Sequence, residues 1–434
     1  MKIRYILISG SVFLTVVMIG ILYHFFGHSL IEIVYKKEIS CLNWITPGRN
    51  THSVEYFERR FDGLMRLWAG LAIVVNFLYI ISDYWKLRIG IRKLMGGWII
   101  ILMVIEVSFV IFLHHPSLLK YTPSFLKHHI KNLYTNFDAN CIQLEESCIR
   151  YDPSLGYRLK SGRCVFFNTE FHNEFLINSQ GLRDDEDSLK APDIIILGDS
   201  HVMGWGVNQE ETFAQILEKE THLKVLNAGI SSFGTVREMR LLEQLDTSSL
   251  KYLIIQYCSN DDDENKEFYK KNNKLNIMDQ RSYEKTLKNY KKSQHYYPAR
   301  YIILSCRIIL EEILNFLNAV PQFVPPSVSV SMFLNALMSA GHSDLNRMTI
   351  IVIKIDNYVY REIPFIPELQ KQIFSQDYSD FIKSLVLVDV QKDLDDLKYY
   401  YPLDGHLNAQ GHRAISYDLI KTIQDLEHRE KRKR

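Results

Sequence analysis

Three apolar runs lie within the first 115 residues of this 434-residue chain. Each has about 20 residues, the length a helix needs to cross the ~30 Å hydrocarbon core of a bilayer. They cover roughly 5–26 (YILISGSVFLTVVMIGILYHFF), 64–84 and 94–113. The chain is 47% hydrophobic overall, but that average hides how much apolar material is gathered here. Three such runs ahead of a segment of ordinary polarity predict three transmembrane helices rather than three buried core helices. The first run is too long for the apolar core of a cleaved signal peptide, and no small-x-small site follows it, so it is expected to remain as an anchor.

Basic residues orient the spans. Lys2 and Arg4 precede the first run, and Lys86, Arg88, Arg92 and Lys93 crowd the short connection between the second and third. In the longer first connection, Lys36, Lys37, Arg49, Arg59 and Arg60 are diluted by Glu32, Glu38, Glu55, Glu58 and Asp62. A cytoplasmic amino terminus satisfies all of these segments and places everything after about residue 115 outside the cytoplasm. Glu106 lies inside the third run. There it is expected to serve helix packing or to reach the interface rather than to carry chemistry.

The net charge of +1 gives no overall field that would recruit nucleic acid. Of the six cysteines, Cys141, Cys148 and Cys164 lie close together. Two of them can pair in an oxidising compartment, and the sequence does not choose which. No histidines stand at metal-site spacing around them, so zinc is not expected, nor is any other metal. Cys258 and Cys306 suit small apolar core positions.

Residues 115–190 read as a connector, with Asp152-Pro153 and Gly156 as turn signals. From Pro192 the rhythm changes. Short apolar runs at Asp193–Leu197, Lys224–Asn227, Tyr252–Tyr257, Thr349–Ile355 and Leu385–Asp389 alternate with helical stretches such as Thr212–Glu220, Val236–Leu245 and Ala409–Leu426. Near-continuous apolar strands separated by helices predict a parallel sheet covered on both faces. The stretch from about 265 to 342 breaks the rhythm and reads as an insertion. It is Lys- and Tyr-rich at first, then apolar and helical near Tyr301–Val320, and suits a lid, a partner surface, a membrane-resting helix or a plain helical decoration. Residues 427–434 form a basic tail.

Chemistry concentrates where the strands end. Gly198-Asp199-Ser200-His201 directly follows the first strand, placing a serine at a strand-to-helix turn on the carboxyl edge of the sheet. The second strand is followed by Asn227-Ala228-Gly229, the third by Ser259-Asn260-Asp261 and the fifth by Asp404-Gly405-His406. Any one of these is weak alone. Four that can converge on one sheet edge are much harder to obtain by chance. Asp199 and His201 read as turn and loop residues, Asn227 as structural, and the acidic run Asp261–Asp263 as a solvated loop rather than a metal site. His412 is an alternative base to His406, a turn inside the last helix.

This set resembles the SGNH (GDSL-type) hydrolase superfamily, over about residues 191–426 with the insertion left out. The resemblance implies a flavodoxin-like three-layer α/β/α domain. It implies Ser200 as nucleophile, His406 as general base and Asp404 as its orienting acid. The backbone N–H groups of Ser200 and Gly229 and the Asn260 amide would be oxyanion donors. Two positions depart from the family pattern. Cys258 stands where the third block has glycine, and the last block is Asp-x-His rather than Asp-x-x-His. Similar membrane-linked polysaccharide acetylation proteins also use Asp-x-His, and in an extended loop residues two apart can face the same side.

The expectation is therefore a membrane-anchored, extracytoplasmic serine ester hydrolase or O-acyltransferase needing no cofactor. Its substrate would be an acylated carbohydrate or lipid of the cell envelope. As a transferase it would need a separate membrane protein as acyl donor. The alternative is a catalytically inactive SGNH-fold subunit that binds glycan or assists assembly.

Overall fold

The structure, a computed structural model, describes residues 89–317, 324–339, 343–358, 364–375, 378 and 380–433. The expected spans at 5–26 and 64–84 lie outside these residues. In chain order the helices used below are α1 (Ile89–His114), α2 (Ser124–Leu133), α3 (Ser200–Met203), α4 (Phe213–Thr221), α5 (Thr235–Leu242), α6 (Asp261–Lys270), α7 (Gln280–Ser293), α8 (Arg300–Leu317), α9 (Pro326–Ser339), α10 (Phe365–Ser375), α11 (Asp380–Lys383) and α12 (Ala409–Lys433). The strands are β1 (Ile149–Asp152), β2 (Gly156–Leu159), β3 (Gly162–Asn168), β4 (Phe171–Ile177), β5 (Ile194–Gly198), β6 (Val225–Gly229), β7 (Tyr252–Tyr257), β8 (Thr349–Lys354) and β9 (Val386–Val388). Contacts divide the chain into two compact units, Met1–Ala139 with Lys291–Val320 and Asn140–Tyr290 with Pro321–Arg434.

In the first unit, α1 contains the third expected span, and its Gly97–His114 stretch is long and apolar enough to cross a membrane. Trp98, Ile100, Ile101 and Val104 on it are exposed. Glu106 is buried instead. Its carboxylate accepts hydrogen bonds from the Tyr296 hydroxyl (2.6 Å) and from the backbone N–H groups of Tyr301 (3.1 Å) and Ile302 (3.0 Å). Those two N–H groups belong to the first turn of α8, which has no carbonyl of its own to give them. Glu106 thus caps α8 and matches its positive dipole end, a helix-packing role.

The second unit is built on a five-stranded parallel sheet in the order β6-β5-β7-β8-β9. β5 pairs with β6 on one side and β7 on the other, Ile195 lying opposite Leu226 and Leu253. Alternate side chains fill two cores. Ile195, Leu197, Leu253, Ile255 and Val352 face α5, α9 and α10, while Ile194, Ile196, Ile254 and Ile353 face α4 and α12. The result is three layers, α/β/α, which is why the strands read as unbroken apolar runs. Strand order reverses beside β5, the switch point where such sheets place their sites. α9 falls inside the stretch that reads as an insertion, yet it buries Val330, Phe333, Leu334 and Leu337 in the first of these cores.

Residues 140–190 are more ordered than a connector. β1 and β2 form one antiparallel hairpin and β3 and β4 another. Asp152 turns the first by accepting from the N–H groups of Ser154 (2.8 Å) and Leu155 (3.0 Å) before Gly156, whose φ is +87°. Cys148 and Cys164 join in a disulfide that ties the two hairpins together. Cys141 is left as a free thiol, Cys258 is buried, and Cys306 is exposed rather than in a core.

Candidate active site

β5 runs straight into the site. Ser200 is the first residue of α3, and the Asp199 side chain accepts from the His201 N–H at 2.9 Å to start that helix. The chain has no room for a side chain on either supporting strand. A Cβ on Gly198 would strike Val202 and Gln256, and one on Gly229 would strike the backbone of Val202 and Met203. Gln256 Oε1 instead receives the Asp199 N–H at 3.1 Å. Two glycines therefore let α3 settle against β6 and hold Ser200 at the sheet edge.

The Ser200 hydroxyl lies 2.9 Å from His406 Nε2. On the other side of the ring, His406 Nδ1 bonds to Asp404 Oδ1. The loop achieves this by turning rather than by extending. Gly405 has φ +83°, its N–H donates to the Tyr401 carbonyl (2.9 Å), and the Tyr401 N–H donates to the His406 carbonyl (2.8 Å). A tight turn, not an extended strand, brings the carboxylate and imidazole of Asp-x-His together.

Two residues that the sequence reading passed over hold Asp404. Trp205 donates its indole N–H to Asp404 Oδ2 at 3.1 Å and lies flat against the His406 ring. Glu170, in the β3–β4 turn, accepts from the N–H groups of Leu403 (3.0 Å) and Asp404 (2.8 Å). Trp205 sits five residues after Ser200, an unusual place for a large aromatic between two glycines, and that was its available signal. Glu170 carries none, because its partners are more than 230 positions away.

The expected oxyanion donors differ in their availability. The Gly229 N–H donates to Asn227 Oδ1 at 3.1 Å, so it is already engaged. The exposed Asn260 gives one amide hydrogen to Asp199 Oδ2 at 3.0 Å and keeps a second. Its loop is fixed by Asp356, also unmarked in the sequence reading, which accepts from the Ser259 N–H (2.7 Å) and hydroxyl (2.9 Å) and pairs with Lys354 at 2.7 Å.

His412 is fully buried away from this chemistry. Its Nδ1 accepts from the Phe213 N–H at 3.3 Å, and burial lowers its pKa to about 3. His201 is buried beside His406, and burial lowers it to about 4, so it stays neutral at ordinary pH. Asp261 and Asp262 do not sit in a solvated loop. They open α6, where Asp261 accepts from Thr235 (2.9 Å) and Asp262 from Tyr257 (2.7 Å) and Ser329 (2.9 Å), as acidic groups at a helix start should. Asp199, His201 and Cys258 bring ligand-type atoms within 4.8 Å of one another. Both Asp199 oxygens already accept hydrogen bonds, and the Cys258 thiol bonds to Asp356 and is pushed well up by burial. A cation there would have to displace the Cys258 proton against that burial and end its bond to Asp356.

No known family model matches the chain. No curated protein matches it either. Several solved structures overlap it in part, two of them as follows. One, from Desulfitobacterium hafniense DCB-2 and described as lipolytic and of the G-D-S-L family, has 10% identity and a TM-score of 0.31, covering 52% of this chain and 97% of its own. The other, described as a platelet activating factor from Streptococcus pneumonia, has 16% identity and a TM-score of 0.30, covering 55% of this chain and 86% of its own. The functional reading rests on the geometry of the site and not on these partial overlaps.

Proposed function

We propose that this protein is a membrane-anchored serine ester hydrolase or O-acyltransferase of the SGNH type. The observation that carries the reading is the continuous chain from Ser200 Oγ through His406 to Asp404. His406 would take the Ser200 proton as the oxygen attacks an acyl carbonyl, then return it to the departing alkoxide. Asp404 would fix the ring tautomer and stabilise the imidazolium. The Ser200 N–H and the second Asn260 amide hydrogen would stabilise the oxyanion, each worth about 3 kcal/mol. The acyl-serine then passes its acyl group to water or to a carbohydrate hydroxyl.

The setting favours O-acyl groups of an envelope glycan or lipid as substrate. α1 suits a membrane anchor, and a disulfide suits an oxidising, extracytoplasmic compartment. A transferase cycle would take its acyl group from a separate membrane protein. The test is a screen of ester hydrolysis and acyl transfer with full-length protein beside Ser200→Ala. Turnover that depends on Ser200 supports the proposal. Equal turnover by both proteins refutes it.

A further inference from the structure

α8 carries three faces. Tyr301, Leu304, Ser305 and Ile308 are buried within the first unit. Arg307 and Glu311 form an exposed ion pair at 2.8 Å along a second face. Ile303, Cys306, Leu310, Ile313, Leu314 and Leu317 recur at three- and four-residue steps along a third, and all are exposed. That spacing keeps them on one stripe of the helix. Leu317 is 70% exposed and Leu310 57%, values that water tolerates poorly over six neighbouring positions.

The position of α8 within its unit says what covers this stripe. Glu106 of α1 caps its first turn, and one turn further along both helices Phe109 packs with Leu304, Ile308 and the α2 residue Leu133. The two helices therefore pack together over the turn from Glu106 to Phe109. Glu106 lies eight residues before His114, so the start of α8 sits about 12 Å inside the end of the apolar stretch. Next along the chain from α1 come Lys120, Tyr121 and Phe125, both aromatics 76% exposed, the residue types that settle at a membrane interface. α8 is a helix with both a charged and an apolar exposed face. One that lies in the interface shows an apolar and a charged face together.

We propose that α8, although nearly 200 residues beyond α1 in the chain, is a membrane helix that beds its Ile303–Leu317 stripe in the lipid of the same bilayer that α1 crosses. The Glu106 cap satisfies the polar start of the helix at that depth. The inference rests on α1 being a bilayer span.

Cys306 lies on the stripe and provides a native probe. Full-length protein carrying Cys41→Ser would be labelled at Cys306 with a small thiol-reactive fluorophore and reconstituted in phosphatidylcholine–phosphatidylglycerol vesicles. The Cys141 thiol, raised to about 11 by burial, and the buried Cys258 are spared at neutral pH. Nitroxide-bearing acyl chains report lipid contact and iodide reports water. Ile101→Cys in a Cys306→Ser background serves as the α1 reference. The expected result is at least twofold quenching by the nitroxide lipid at both positions and little by iodide. If Ile101→Cys is quenched by lipid but Cys306 only by iodide, α8 lies in water and the inference fails alone. If Cys306 is shielded from both, a protein segment covers the stripe and the inference again fails. An Ile101→Cys probe untouched by lipid overturns the span and the inference with it.

Discussion

Trp205 lies flat on His406, with ring centroids 4.8 Å apart and planes 17° from parallel. The same indole donates to Asp404. One side chain thus sets both the plane of the imidazole and the direction of the carboxylate that orients it. Trp205→Phe should keep the ring against His406 and lose the N–H. A hydrogen bond to a charged group contributes about 1.5–3 kcal/mol, so kcat should fall about 10- to 100-fold with KM nearly unchanged. Steady-state kinetics on any ester the wild type turns over would check it. A KM effect with kcat intact would mean that Trp205 contacts substrate instead.

Glu170 anchors the turn that carries Asp404. Glu170→Ala leaves two loop N–H groups without their acceptor, and kcat should drop by at least tenfold. Glu170→Gln, which keeps an acceptor oxygen, should recover part of the loss. Equal damage from both variants would point to general loosening of the hairpin rather than to the turn.

Asn260 should behave as an oxyanion donor. Replacing it by alanine is expected to lower kcat about 10²–10³-fold with little change in thermal midpoint. Kinetics and melting of the same preparation separate this from unfolding, since Asn260 also bonds to Asp199.

The Cys148–Cys164 bond closes a loop of sequence separation 16, for which chain entropy suggests about 3 kcal/mol. Cys148→Ser should lower the thermal midpoint, and non-reducing peptide mapping of protein alkylated after denaturation should recover a Cys148–Cys164 cross-link with Cys141 alkylated. Mapping that pairs Cys141 instead would contradict the arrangement.

Burial lowers His201 to about 4 from an ordinary value of 6.5, so the unfolded chain binds this proton first as pH falls. The stability due to neutral His201 is complete above pH 6.5 and is lost progressively towards pH 4, by about 3 kcal/mol in all. Asp184, raised by burial to about 7, works in the opposite direction, so the useful quantity is the difference between wild type and His201→Gln. Between pH 6.5 and 4 the wild type should lose more stability than the variant. Parallel thermal profiles would show that His201 does not cause this loss.

Much of the second unit was legible because its signals are local. Five apolar runs predicted five parallel strands, and residues at their ends proved to be neighbours: Ser200 and His406 bond across 206 positions. What was missed depends on distant contacts. β4 alternates buried with exposed residues, Glu174 and Leu176 among the exposed, and so lacks the unbroken apolar run that marks a core strand. Glu170 and Asp356 look like ordinary loop acids until the loops they bind are placed. The Gly229 N–H was expected to be free, but Asn227, two residues back, occupies it. Glu106 drew notice as a charge in an apolar run, and only the fold supplies α8 as its partner.

The most direct measurement is labelling of the full-length protein with a fluorophosphonate probe, followed by peptide mapping. A serine activated by His406 and Asp404 should form a stable adduct on Ser200, and both Ser200→Ala and His406→Ala should abolish it. A folded wild-type protein that stays unlabelled, or that is labelled elsewhere while Ser200→Ala still reacts, would contradict the account.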